Sequence, residues 1–286
     1  MTARAVDPRR VEPQRDMRRL AIYFGVLAVV YAIGLAVLGG AGFNAAVPIL
    51  MVAPTVGALA ARFLGPGIIW WGRPSWWILA GLLPVAVVVA GLLLGSAAGW
   101  IVFAGGLGGA ALYGLSNTAV ACITAAGEEI GWRGFLWPLL RSRMTFLVAS
   151  GVIGLIWLAF HLPIVLLGEY GSLAGLPAFT VAIIGFVLFV GVLTDRSRSV
   201  WPSVLAHGAW NGVIALNYPT SVGEAAFTGD TALLGEFGWI PAVSMLLLGV
   251  AAAFWHVRSG HGGKIAPGPA WARPAPGATI LNPASS

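Results

Sequence analysis

Again and again this sequence runs for about twenty residues with almost no charge, the length an α-helix needs to cross a hydrocarbon core. The runs fall at 20–39, 44–63, 76–95, 101–121, 147–167, 177–194, 202–218 and 238–257. The sequence therefore predicts an all-α fold, a polytopic transmembrane helical bundle of about eight spans. Composition rules out a soluble fold: 9% of residues are charged and 58% are hydrophobic. A soluble domain carries roughly a quarter charged residues, so here most of the surface must face lipid. Segment 127–141 reads as a further, less apolar helix joined to the end of the fourth span.

Charge placement orients the bundle. Residues 1–19 are polar, with six Arg against three acids, and read as a cytoplasmic basic tail. Counting spans from that side puts Arg62, Arg73, Arg141, Arg143, Arg196, Arg198, Arg258, Lys264 and Arg273 inside. The expected outer loops hold only Glu169, Glu224, Asp230 and Glu236, which is the positive-inside pattern. Both termini are thus expected in the cytoplasm, with 20–257 as the bundle and 258–286, rich in Gly, Pro and Ala, as a disordered tail. A signal peptide cleaved near GGAG is an alternative reading of the first run. Topology alone accounts for the formal charge of +6, so no nucleic acid partner is expected. The high Ala, Gly and Arg usage and the missing ER-retention signal suggest a multi-pass protein of a bacterial plasma membrane.

Several residues need only bland readings. Cys122, the single cysteine, excludes a disulfide framework and a cysteine-rich metal cluster. Gly105 and Gly109 have the spacing of a close helix contact. His256 and His261, near the terminus, read as surface groups.

Ionisable groups at membrane depth are expensive and are kept where they pair, line a cavity or do chemistry. They are few here: Glu128, Glu129 and Arg133 in AAGEEIGWRGFL, His161 in IWLAFHLP, and His207 with Asn211 in VLAHGAWNG. Glu129 and Arg133 stand four apart and can pair on one helix face, while Glu128 points about 100° away. His207 and Asn211 likewise share a face. Three polar clusters on three helices make sense if they converge on one cavity. Such a cavity suits peptide-bond hydrolysis, with a carboxylate taking a proton from water and imidazole or amide donors meeting the oxyanion. It suits a proton-coupled transporter nearly as well, although spans one, two, three and eight offer almost no polar residues to line a path.

The combined pattern resembles the CPBP (CAAX protease and bacteriocin-processing, or Abi) intramembrane proteases, which include relatives of the prenyl-protein CAAX endopeptidase. That family's motifs are two Glu, three residues and Arg; Phe, three residues and His; and His, three residues and Asn. Here they read Glu128, Glu129 and Arg133; Trp157 and His161; and His207 and Asn211, in the same order over about 120–217. Gly131, Trp132 and Gly134 also match the family context of the first motif. Trp157 replaces the usual Phe, a change expected to touch packing beneath the histidine.

The resemblance implies an intramembrane endopeptidase acting on a membrane-associated protein or peptide that approaches through the bilayer. It implies Glu128 as the base that activates water, assisted by His161, with His207 and Asn211 stabilising the oxyanion. Glu129 and Arg133 become the supporting ion pair. Glu128, His161 and His207 could alternatively hold zinc with one open position. The absence of HExxH favours no metal cofactor. A catalytically silent scaffold or bacteriocin-immunity factor of the same family is the competing expectation. Simple counting leaves His161 deeper in the bilayer than Glu128, a gap that helix tilt must close.

Overall fold

The computed structural model describes residues 8–62, 73–218 and 225–265. The fold is all-α apart from one short ribbon. Its helices are α1 (Pro8–Ala41), α2 (Phe43–Arg62), α3 (Pro74–Ala97), α4 (Leu107–Gly131), α5 (Trp137–Arg141), α6 (Phe146–Leu166), α7 (Leu176–Ser197), α8 (Trp201–Ile214) and α9 (Trp239–His256). Proline in the first turn of α3, α7 and α8 costs no helical hydrogen bond, because that N–H would be unpaired anyway. Among the described residues, α1, α2, α3, α6, α7 and α9 contain stretches long and apolar enough to cross a membrane. The fourth apolar run departs from expectation at its start. Residues Ile101–Phe103 form a strand, β1, paired antiparallel with β2 (Phe227–Gly229), and the helix begins only at Leu107. α8 has 14 residues, short for a full crossing. The tail at 266–286 lies outside the described residues.

Side chains are distributed as lipid demands. Ile123 and Leu155 stand 76% and 71% exposed on the outer wall, while Glu129 and Arg133 inside are 0% and 1% exposed. Neighbour packing runs α1 on α2, α2 on α4, α4 on α8, α8 on α3, α3 on α9, α9 on α7 and α7 on α6. The Tyr31 hydroxyl donates to the Phe160 carbonyl and ties α6 back to α1. α4 turns through a π-helical segment, Trp132–Leu136, directly into α5, so the expected motif helix continues the fourth one.

Glycines set the close approaches around the site. A Cβ at Gly131 would meet Pro54 at 2.4 Å, so α4 lies backbone to backbone against α2. At Gly212 a Cβ would meet the Thr118 hydroxyl at 1.9 Å, which draws α8 onto α4. Gly105 and Gly109 do not pack as their spacing suggested: open space surrounds both. Gly105, at φ 90°, instead turns the chain ahead of α4.

One end of the bundle gathers the basic groups. Arg143 pairs with Asp16 at 2.6 Å, and Arg196 donates to the His261 ring while lying over Trp255. His256, expected at the surface, is fully buried there. Asp195 Oδ2 meets His256 Nε2 at 3.1 Å and Arg141 Nε at 3.0 Å, and Oδ1 accepts from Trp137 Nε1 at 2.8 Å. Arg141 also donates to the carbonyls of Met144 and His261, and its own carbonyl accepts from Ile265 N–H. The described start of the C-terminal tail is therefore fastened to α5.

Candidate active site

Three elements carry the polar set: α4 with its π turn, α6 and α8. Glu129 is a shared acceptor. Arg133 Nη1 approaches it at 3.3 Å, and His207 Nδ1 lies 3.0 Å from its Oε1. The spacing of Glu129 and Arg133 thus delivers the expected ion pair, with no side-chain exposure on either partner. Arg133 also sits over the Trp157 ring, but its Nε and Nη2 have no hydrogen-bond partner among the described residues.

Glu128 faces a different set of groups. Its Oε2 accepts from Trp157 Nε1 at 2.7 Å and from Trp132 Nε1 at 3.4 Å. The aromatic at position 157 therefore does more than pack beneath His161: it is a hydrogen-bond donor to the carboxylate, which a phenylalanine could not be. His161 Nδ1 lies 2.9 Å from the Trp157 carbonyl, so that nitrogen carries the proton and Nε2 is the ring's remaining polar atom. The separation in depth between Glu128 and His161 is bridged by this same tryptophan.

Glu128, Trp157, His161, His207 and Asn211 all line one cavity of about 320 Å³. Phe160, Ile164, Phe179, Phe186 and Trp210 supply much of its apolar wall. Asn211 enters from the face of α8 that carries His207, and Asn117 on α4 donates to the Asn211 carbonyl at 3.1 Å. The four residues expected to do chemistry are thus brought together, with Glu129 and Arg133 directly behind them.

The cavity also holds groups that sequence reasoning overlooked. Glu236, counted as an outer-loop charge, lines it together with Tyr170 and Tyr31. The Tyr170 hydroxyl donates to Glu236 Oε2, and Trp210 Nε1 donates to Oε1 at 3.4 Å. Burial and the facing carboxylate push the Tyr170 phenol well above its ordinary value, so it stays a donor. A signal existed: Glu236 is a lone acid bracketed by Leu233, Leu234, Phe237 and Trp239, a poor setting for a freely solvated loop.

A zinc site at Glu128, His161 and His207 does not fit this arrangement. Among the described residues no group of three His, Cys, Asp or Glu is placed to hold a metal ion.

No curated protein matches the chain. Residues 110–213, which hold most of α4, the π turn, α5, α6, α7 and most of α8, match the family described as Type II CAAX prenyl endopeptidase Rce1-like. The matched stretch contains every residue of the three motifs and most of the cavity wall, and a CAAX-protease-like domain is present over this part of the chain.

Proposed function

We propose that this chain is an intramembrane endopeptidase that hydrolyses a peptide bond of a membrane-associated protein or peptide through water activated by Glu128. The observation that carries this reading is the convergence of Glu128, His161, His207 and Asn211, from three helices, on one cavity. Water held between Glu128 and His161 Nε2 loses a proton to Glu128 and attacks the scissile carbonyl carbon. The carbonyl oxygen becomes an oxyanion and takes hydrogen bonds from His207 Nε2–H and the Asn211 amide, each worth about 3 kcal/mol in the transition state. Collapse breaks the C–N bond, and the proton on Glu128 passes to the leaving nitrogen. For His207 to donate from Nε2 while Nδ1–H stays on Glu129, its ring must carry both protons. That form sets two carboxylates, Glu128 and Glu129, against one guanidinium and one imidazolium, and leaves Glu236 outside the balance. The two indole N–H groups on Oε2 of Glu128 hold the carboxylate in one orientation.

The surrounding bundle is read as about eight crossings with both tails in the cytoplasm of a multi-pass plasma-membrane protein. The gathering of Arg143, Arg196 and His261 at one end of the bundle supports that reading. Residues 20–257 form the bundle, with the protease core at 120–217.

The test is cleavage of a membrane-anchored peptide library by purified protein, wild type beside Glu128→Gln, each with and without a chelator. Products from wild type alone, indifferent to chelator, are expected. Products lost to chelator and restored by zinc would replace the mechanism with a metal-dependent one. Equal cleavage by Glu128→Gln, or none by folded wild type, would sink the endopeptidase reading.

A further inference from the structure

The cavity carries a second carboxylate that the proposed reaction does not use. Glu236 reaches the cavity from the segment ahead of α9, where the Tyr170 hydroxyl and the Trp210 indole N–H hold it. Both donors are neutral. Among the described residues no Lys, Arg or His forms an ion pair with Glu236, and no Lys or Arg lines the cavity. Arg133 stands behind Glu129, off the cavity wall. The carboxylates facing a substrate are thus Glu128 at one part of the wall and Glu236 at another; the wall's one proposed cation, His207, is held by Glu129, so Glu236 is the carboxylate left without a cation of its own.

An enclosure of this kind discriminates by charge. A negative group brought in from water loses its hydration and meets another negative charge at low effective dielectric. An ammonium or guanidinium gains a charge-assisted hydrogen bond to an acceptor already fixed in place. Resting on the endopeptidase reading above, we propose that Glu236 determines specificity. The cavity then takes a membrane-embedded segment bearing a Lys or Arg close to the scissile bond, and disfavours a chain that ends there in a free carboxylate. The residue needs no part in bond breaking for this. Its two donors aim it, and the substrate's cation supplies the partner it lacks.

The experiment separates this inference from the catalytic one by measuring binding. Full-length Glu128→Gln protein in lipid nanodiscs is titrated with fluorescent, membrane-anchored peptides. The set scans a single Lys, Gln or Glu through an otherwise apolar segment, each member with a free or an amidated C-terminus. At one or two positions the Lys peptide should bind roughly tenfold more tightly than its Gln counterpart. The Glu peptide should bind more weakly than either, and amidation should tighten binding of the short members. Adding Glu236→Gln, which keeps an acceptor for Tyr170 and Trp210, should bring the Lys-to-Gln ratio close to one. A ratio unchanged by that substitution, no charge preference at any position, or equal binding of free and amidated ends would overturn the proposal. Charge-selective binding without cleavage by wild type would remove the endopeptidase reading and leave the role of Glu236 standing. Cleavage without charge selectivity would do the reverse.

Discussion

Two buried carboxylates in this molecule each serve an arginine and a histidine. Glu129 is shared by Arg133 and His207, and Asp195 by Arg141 and His256. Both arginines belong to the single stretch formed by α4, the π turn and α5. Their surroundings differ. Arg141 spends its remaining donors on the carbonyls of Met144 and His261, so the Asp195 set clamps the C-terminal segment. Arg133 keeps Nε and Nη2 without partners among the described residues, and His207 of its set lines an open cavity. A clamp fills most of its hydrogen-bonding capacity, because each empty donor in an apolar interior is destabilising. Functional sites are where such empty capacity is tolerated.

Perturbing the two sets in parallel sharpens the comparison. The largest effects should come from their neighbouring or central acids. Glu128→Gln should lower cleavage roughly 10³-fold and leave the thermal unfolding midpoint in detergent unchanged. Asp195→Ala, which strands Arg141, should destabilise the fold by about 3–5 kcal/mol while the surviving folded molecules turn over normally. A Glu128→Gln protein that unfolds early, or an Asp195→Ala protein that is stable and inactive, would dissolve the distinction. A smaller contrast lies in the indoles. Trp157→Phe removes one N–H from Glu128 and should slow cleavage roughly tenfold with little change in KM. Trp137→Phe removes one from Asp195 and should cost about 1–2 kcal/mol of stability, read from denaturant unfolding, with rates preserved. Least of all, Arg143→Ala breaks a pair whose arginine side chain is 43% exposed, and should change stability by less than about 1 kcal/mol. A larger loss there would mean the basic end depends on surface pairing as well as on Asp195.

The same contrast explains what the sequence made legible. Apolar runs of membrane length announce themselves, so α1, α2, α3, α6, α7 and α9 fall close to where periodicity and hydropathy put them. Glu128, Glu129, Arg133, His161, His207 and Asn211 stand out because each interrupts an apolar stretch; Glu128, His161, His207 and Asn211 meet at one cavity, with Glu129 and Arg133 behind His207. Asp195 went unremarked and His256 was taken for a surface group because both sit at span ends, where a charged residue reads as a water-facing flank. Glu236 and Tyr170 escaped for the same reason, since a loop residue is taken as solvated until a neighbouring element is seen to cover it. Trp157 was read only for its bulk; its indole N–H matters because Glu128 lies within reach on another helix, a fact of tertiary structure. The ribbon of β1 and β2 is three residues on each strand, too brief for any alternating pattern to register.

The π turn at Trp132–Leu136 acts as a phase shifter between these two sets. In an unbroken α-helix the twelve steps from Glu129 to Arg141 would leave the two side chains about 120° apart around the axis. One residue absorbed by the wider turn takes back about 100° of that, and both can point inward. Forcing this segment into ordinary helix at its present length would swing α5 about 100° away from Asp195, whereas deleting a single residue there would remove the wide turn and keep the alignment. The angular offset that lets one helix serve both a cavity and a clamp is thus written into five residues, WRGFL.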